Sequence, residues 1–140
     1  GLLTVQGAKS IELSRWAKVG AATDDIIKAV TTLDEAGFHG PYSLALAPSR
    51  YNLLFHLYAG SAVSELEHIK TIVTEGVIKA PMLDAGGVLL ASGRQFASIV
   101  LGQDMAVGFI GPSLDKFDFS IAESLALRIA VPGAICVLKE

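Results

Sequence analysis

This chain of 140 residues is short of charge, of cysteine and of basic clusters, and each shortage excludes a class of function. Only 18% of its residues are charged, against roughly 25% in an average globular domain. A single cysteine, Cys136, excludes an internal disulfide and any zinc site built on cysteine pairs. It fits a reducing compartment, so a cytoplasmic location is expected. The net charge is -3 and no run of Lys and Arg tracks a phosphate backbone, so nucleic acid is not an expected partner. A membrane helix needs about 20 apolar residues. No uncharged stretch approaches that length, and Ala36 to Ser49 is broken by Gly37, Gly40, Pro41 and Pro48, so no membrane partner is expected either. The chain opens on Gly1-Leu2-Leu3 with no Met and no basic or cleavable leader, and is expected to be a piece of something longer.

What is abundant is apolar surface: 51% of the residues are hydrophobic. A domain of this size hides only about two-thirds of the surface its unfolded chain exposes. The excess therefore points to burial between subunits, and a homo-oligomer is expected.

The apolar pattern changes period along the chain. Ile11 to Trp16 alternates as a short strand does. Ile26, Ile27, Val30 and Leu33 repeat at helical spacing, with Thr23 as candidate cap, Asp24 and Asp25 at the positive end and Gly37 as terminator. Tyr42 to Leu46, between Gly40-Pro41 and Pro48, predicts a strand. A second helix is expected from Ser49 as cap, with Tyr51, Leu54, Phe55 and Tyr58 as a buried stripe and Asn52 and His56 on the polar side. Ser64 with Glu67 forms a capping box that opens a third helix through Leu66, Ile69, Ile72 and Val73, closed by Gly76. Beyond it the period becomes that of strands: Val88 to Ser92, Gln95 to Leu101 and Met105 to Phe109 as a meander. Every odd position from Phe117 to Val131 is apolar except Glu123, which predicts one long strand of roughly 50 Å that projects or joins another sheet. Pro132-Gly133 then turns into a last strand, Ala134 to Leu138.

Chemistry is hard to find in this pattern. His39, His56 and His68 share no i, i+3 or i+4 spacing, so no metal site is expected. No serine sits on a G-x-S-x-G turn or beside a paired base, so no catalytic residue is assigned. Asp84-Ala85-Gly86-Gly87 lacks the frame of a phosphate cradle and is expected to be a tight turn, which leaves no cofactor-binding residue. Glu65 and Glu67 straddle a helix start and are not expected to face one another. Glu123 either pairs with a cation of a neighbouring subunit or sits where its strand face meets solvent. Trp16 could stack on a cofactor, but packing is the expected role, since aromatics mostly anchor cores.

Four landmarks, in this order, carry a family resemblance. They are Gly1-Leu2-Leu3-Thr4, Gly37-Phe38-His39-Gly40-Pro41-Tyr42-Ser43-Leu44, Leu101-Gly102-Gln103-Asp104 with Gly108 beyond, and Pro132-Gly133-Ala134-Ile135. With their spacing they resemble the C-terminal half of the encapsulins, also named linocins or maritimacins. The resemblance implies an α+β chain of the tailed-phage major capsid fold (Hong Kong 97-like). Residues 1–109 would be mainly the axial domain, helices on a central sheet, and 110–140 the C-terminal strands of the peripheral domain. The family's N-terminal arm, spine helix and long loop would lie outside this chain.

The implied function is structural rather than enzymatic: a shell subunit of an icosahedral, virus-like nanocompartment that encloses a ferritin-like iron-storage protein or a peroxidase. Cargo would dock through a targeting peptide. The resemblance also suggests that the loop Tyr58, Ala59, Gly60, Ser61, Ala62, Val63 and Ser64 lines a pore at a symmetry axis. The strand carrying Phe117, Phe119, Ile121, Leu125, Leu127, Ile129 and Val131 is the candidate for assembly, because an unpaired apolar edge invites pairing. A viral or proviral capsid protein of the same fold, or a bacteriocin or protease-like activity, stand as the alternatives.

Overall fold

The spacing of Ile26, Val30 and Leu33 becomes α1, Ala21–Glu35, in a computed structural model that describes residues 6–92 and 132–140. The helix starts earlier than the polar cap suggests. Gly20, in the left-handed region at φ 108°, is the N-cap without a side-chain bond, and Thr23 lies inside the first turn. Gly37 ends it as expected, at φ 99°, with the Phe38 amide returned to the Leu33 carbonyl. A short strand precedes the helix as β1, Lys9–Glu12, rather than running on to Trp16.

Strand β2 spans Tyr42–Leu46. Helix α2, Pro48–Leu53, differs from expectation at both ends. Its cap is Ala47 rather than Ser49, because Pro48 lacks an N–H and its fixed φ suits the first helical position. It stops at Leu53, so Phe55 and Tyr58 lie beyond it and the expected buried stripe is reduced to Leu54, with Tyr51 partly buried.

Helix α3, Glu65–Ile72, carries the expected capping box: the Glu67 amide donates to Ser64 Oγ at 3.1 Å and the Ser64 amide to Glu67 Oε1 at 3.2 Å. Gly76 does not terminate it. The helix has already ended, and Gly76 opens β3, Gly76–Lys79, an edge strand with few buried positions to announce it. Two further strands follow, β4 over Gly87–Ala91 and β5 over Ile135–Lys139, the latter entered through a short turn of 3-10 helix at Pro132–Ala134.

These strands form one sheet in the order β1-β5-β4-β2-β3. β4 runs antiparallel to both β2 and β5, while β1 pairs parallel with β5 and β3 parallel with β2. In register, Leu44 lies opposite Leu89, which lies opposite Cys136. The period of two then puts Leu44, Leu46, Leu89, Ala91, Cys136 and Leu138 on one face, packed with Ile26, Ala29 and Leu33 of α1 and Leu66 and Ile69 of α3. Val88, Leu90, Ile135 and Val137 form a second cluster on the other face.

The sheet holds the last strand between β1 and β4. The physical reason is that Ile135 to Leu138 is apolar on both faces, a pattern that suits a central strand. The first strand of the expected meander is β4; its strands Gln95 to Leu101 and Met105 to Phe109, and the long strand with Phe117, Phe119, Ile121, Leu125, Leu127, Ile129 and Val131, lie outside the described residues.

The turn into β4 is where backbone approach is closest. Gly86 has φ 67°, and a Cβ there would sit 2.2 Å from the Leu138 carbonyl oxygen. At Gly37 a Cβ would meet nothing within 4 Å. Gly37→Ala is expected to cost only the left-handed penalty, about 1–2 kcal/mol. Gly86→Ala should cost roughly 3 kcal/mol or more, because β5 must shift as well. Chemical denaturation of the two variants checks this ranking, and equal midpoints would contradict the position of β5.

Candidate functional site

The loop between α2 and α3 is built as a small hairpin. Leu54 is fully buried at its base, where its carbonyl accepts the Leu66 amide at 2.8 Å. The Glu65 amide donates to the His56 carbonyl at 3.0 Å, Leu57 bridges Ser64 antiparallel, and the Tyr58 amide donates to the Val63 carbonyl at 3.0 Å. Gly60 turns the tip at φ 72°, the Ser61 amide returns to the Tyr58 carbonyl at 3.1 Å, and Ser61 Oγ accepts the Val63 amide at 2.9 Å.

All seven residues singled out from the sequence, Tyr58 to Ser64, thus fall in one structure. Ala59 to Val63 are exposed, while Tyr58 and Ser64 are half-buried at its feet. Beside them Phe55, Leu57 and Val63 are 56%, 53% and 44% exposed. Phe55 is exposed rather than part of a buried helical stripe because the helix ends before it.

Tyr58 fixes the hairpin to the body. Its hydroxyl lies 2.7 Å from His68 Nδ1 on α3 and 3.1 Å from Thr23 Oγ1 on α1. Thr23 in turn donates from its amide, at 2.7 Å, and its hydroxyl, at 2.8 Å, to Glu65 Oε2. Glu65 is 3% exposed, and its carboxylate satisfies the first turn of α1 in place of the side chain that Gly20 lacks. Glu65 and Glu67 do part company as expected, one turned inward and one capping its own helix. The partner of Glu65 is 42 residues away, so no local pattern could announce it.

A second polar cluster ties the start of the chain to its end. Asp25 Oδ2 accepts from the Ser14 amide, the Ser14 hydroxyl and Trp16 Nε1, at 2.8, 2.9 and 2.7 Å. Trp16 is buried, with the Arg50 guanidinium 4.6 Å from its ring centroid, so packing is its role. Arg50 holds Glu140 with two bonds of 2.7 and 2.8 Å and donates a third to the Ser14 carbonyl at 2.8 Å. Glu140 Oε2 also accepts the Gly86 amide at 2.9 Å.

Between these clusters lies a groove of about 390 Å³ lined by Arg15, Trp16, Lys18, Val19, Leu53, His56 and Glu65. The histidines do not converge: His39 is exposed between α1 and β2, His56 Nδ1 lies 3.0 Å from the Leu53 carbonyl, and His68 meets Tyr58. Among the described residues no group of three His, Cys, Asp or Glu could hold a metal ion, and no helix is long and apolar enough to cross a membrane.

The Arg50 guanidinium lowers the Glu140 carboxyl from an ordinary 4.5 to about 2, with the Gly86 amide assisting and partial burial opposing. A depressed folded value means that the stabilisation is present above the unfolded value and is lost as pH falls toward 2. The Glu140 side chain is 41% exposed, so solvent screening limits the effect to about 1 kcal/mol. Glu140→Gln should therefore lower the thermal midpoint at pH 7, and its gap from the natural chain should narrow as pH falls from 5 to 2. Thermal scans across that range check the sign, and a gap independent of pH would contradict it.

Residues 1–126 match the linocin family, described as "Encapsulating protein for peroxidase". The chain is 33% identical over 140 residues to the type 1 encapsulin shell protein EncA of Myxococcus xanthus, covering 99% of this chain and 49% of that protein. It is 31% identical over 139 residues to the ferritin-like-encapsulin shell fusion protein of Pyrococcus furiosus, covering 99% of this chain and 40% of that one. Among solved structures, the virus-like particle from Pyrococcus furiosus superposes with a TM-score of 0.70 at 22% identity, over 99% of this chain and 58% of the other. This chain therefore spans about half or less of the length of the curated relatives it matches, and its helices on a mixed sheet have the α+β, Hong Kong 97-like capsid fold. With the family matched over residues 1–126 and the fold shared along almost its entire length, the chain belongs to the encapsulin family.

Proposed function

We infer that the chain is a structural part of a shell subunit that assembles with copies of itself into a closed, icosahedral compartment. The observation that carries this reading is the hairpin, where Phe55, Leu57 and Val63 stay exposed on a backbone held by its own hydrogen bonds. Burying one such side chain against a neighbour contributes about 1.5–3 kcal/mol, and a symmetric assembly repeats the gain at every copy. The names of the relatives support the same reading.

In this proposal Tyr58 to Ser64 meet their counterparts around an axis and border an opening. The small residues Ala59, Gly60, Ser61 and Ala62 leave room for close approach there. The body is the axial part of the subunit, residues 1–109, and the peripheral strands are drawn from 110–140, with Ile135–Lys139 returning to the sheet described above. The segment from Phe117 to Val131 supplies assembly contacts.

Reaction chemistry belongs to a cargo protein, a ferritin-like iron store or a peroxidase, captured through a targeting peptide. The subunit itself needs no catalytic residue, cofactor, nucleic acid or membrane, and works in the cytoplasm.

Electron microscopy of the full-length protein tests the assembly directly. Uniform hollow particles are expected; molecules that stay dispersed under all conditions would overturn it. Leu57→Asp in the full-length protein adds the residue-level test. Because Leu57 is already exposed, folding stability should change by no more than about 0.5 kcal/mol. The fraction in particles should fall sharply, and full assembly of that variant would remove the hairpin from the subunit contact.

A further inference from the structure

Glu65 has one carboxylate oxygen with donors and one without. Oε2 accepts the Thr23 amide and hydroxyl, at 2.7 and 2.8 Å, whereas Oε1 has no hydrogen-bond donor among the described residues. The residue is 3% exposed. A buried carboxylate oxygen left without a donor is costly, so this position calls for an N–H or O–H brought from elsewhere. Glu65 also lines the groove of about 390 Å³, a volume within the range of small-molecule sites. The walls come from three segments: the loop before α1, the end of α2 and the first residue of α3. An occupant would join all three.

The rest of the groove narrows what could bring that donor. Trp16, Val19 and Leu53 supply apolar wall, the last two exposed. Arg15 and Lys18 line the same groove and are exposed. Neither is paired, because the one ion pair among the described residues joins Arg50 to Glu140. Opposite charges thus share a groove without meeting, and a ligand that carries both can reach between them. A simple amine would serve Glu65 but face two uncompensated cations. A simple carboxylate or phosphate would serve the cations but bring a like charge toward Glu65. A metal ion would have too few ligands, since no group of three His, Cys, Asp or Glu forms among the described residues.

We propose that this groove binds a small zwitterion of the apolar α-amino acid class. Its ammonium donates to Glu65 Oε1, its carboxylate accepts from Arg15 and Lys18, and its side chain packs against Val19, Leu53 and Trp16. The ammonium replaces the donor that the fold does not provide, and the guanidinium of Arg15 can offer a carboxylate two parallel N–H bonds. The site does not depend on assembly, so it stands apart from the functional reading above.

Titration calorimetry of the intact full-length protein with L-leucine and L-phenylalanine tests the site. The comparison ligands are their N-acetyl derivatives, which lack the ammonium, and isoamylamine and phenethylamine, which lack the carboxylate. At least one amino acid is expected to bind with a Kd of about 1 mM or below. Both of its truncated forms should bind about tenfold more weakly or worse. Glu65→Gln should weaken binding by about tenfold or more. Because that change also touches Thr23, the second variant combines Arg15→Ala with Lys18→Ala at exposed positions. It should keep its thermal midpoint and lose about three- to tenfold in affinity. Lys28→Ala, exposed on α1 and outside the groove, should bind as the natural protein does. No heat from either amino acid up to about 10 mM would show that water alone serves Oε1 and would overturn the proposal. Equal binding of a truncated form, or undiminished binding by the double variant, would overturn it too. Assembly is read separately in the microscope, so failure here leaves the shell reading intact, and absence of particles leaves the groove untouched.

Discussion

The constraint on which this structure depends is that the strand nearest the end of the chain occupies the middle of the sheet. β5 pairs parallel with β1 and antiparallel with β4, so among the described residues β1 has no partner in the sheet without it. Its side chains fill both faces: Cys136 and Leu138 complete the core under α1, while Ile135 and Val137 join Val88 and Leu90 opposite. Residues that open and close the chain must therefore be brought together before a core exists. The Arg50 contacts to Ser14 and Glu140, and that of Glu140 to Gly86, secure the same junction from outside.

The hairpin is held away from this frame by a few long-range polar contacts. α1 and α3 pack on the sheet through Ile26, Leu33, Leu66 and Ile69, and this packing brings the first turn of α1 against the first turn of α3. Glu65 fits there because the amide and hydroxyl of Thr23 both satisfy one of its carboxylate oxygens; a buried carboxylate without such donors would be strongly destabilising. Tyr58 reaches the same cluster, so the position of an exposed loop is set by a buried charge.

Much of this could be read from the sequence where the determinants are local. The capping box at Ser64 and Glu67, the apolar spacing in α1 and the bounded alternation of β2 all act within a few residues. A connection between two helical patterns is legible from the small residues Ala59 to Ala62, but its start is not, because the helix ends at Leu53 rather than running on to Tyr58. The structure departs from local pattern where a distant partner decides. Thr23 has the chemistry of a cap, yet Glu65 on another helix takes up its donors. Phe55 continues a helical stripe that Leu53 ends, and the four residues of β3 are defined by pairing with β2 rather than by pattern. The central position of β5 belongs to the same group, since a short apolar run does not say which strands will flank it.

The single cysteine gives direct access to that position. Cys136 is fully buried in β5, and burial pushes its thiol up to about 11, so it has neither access nor thiolate character in the folded state. Alkylation of the native protein at pH 8, followed across a denaturant series, is the most direct measurement. The account predicts that Cys136 stays unmodified in native buffer and reacts only in step with global unfolding. Prompt modification in native buffer would show that the strand does not lie at the centre of the sheet, and the frame that places the hairpin would be lost with it.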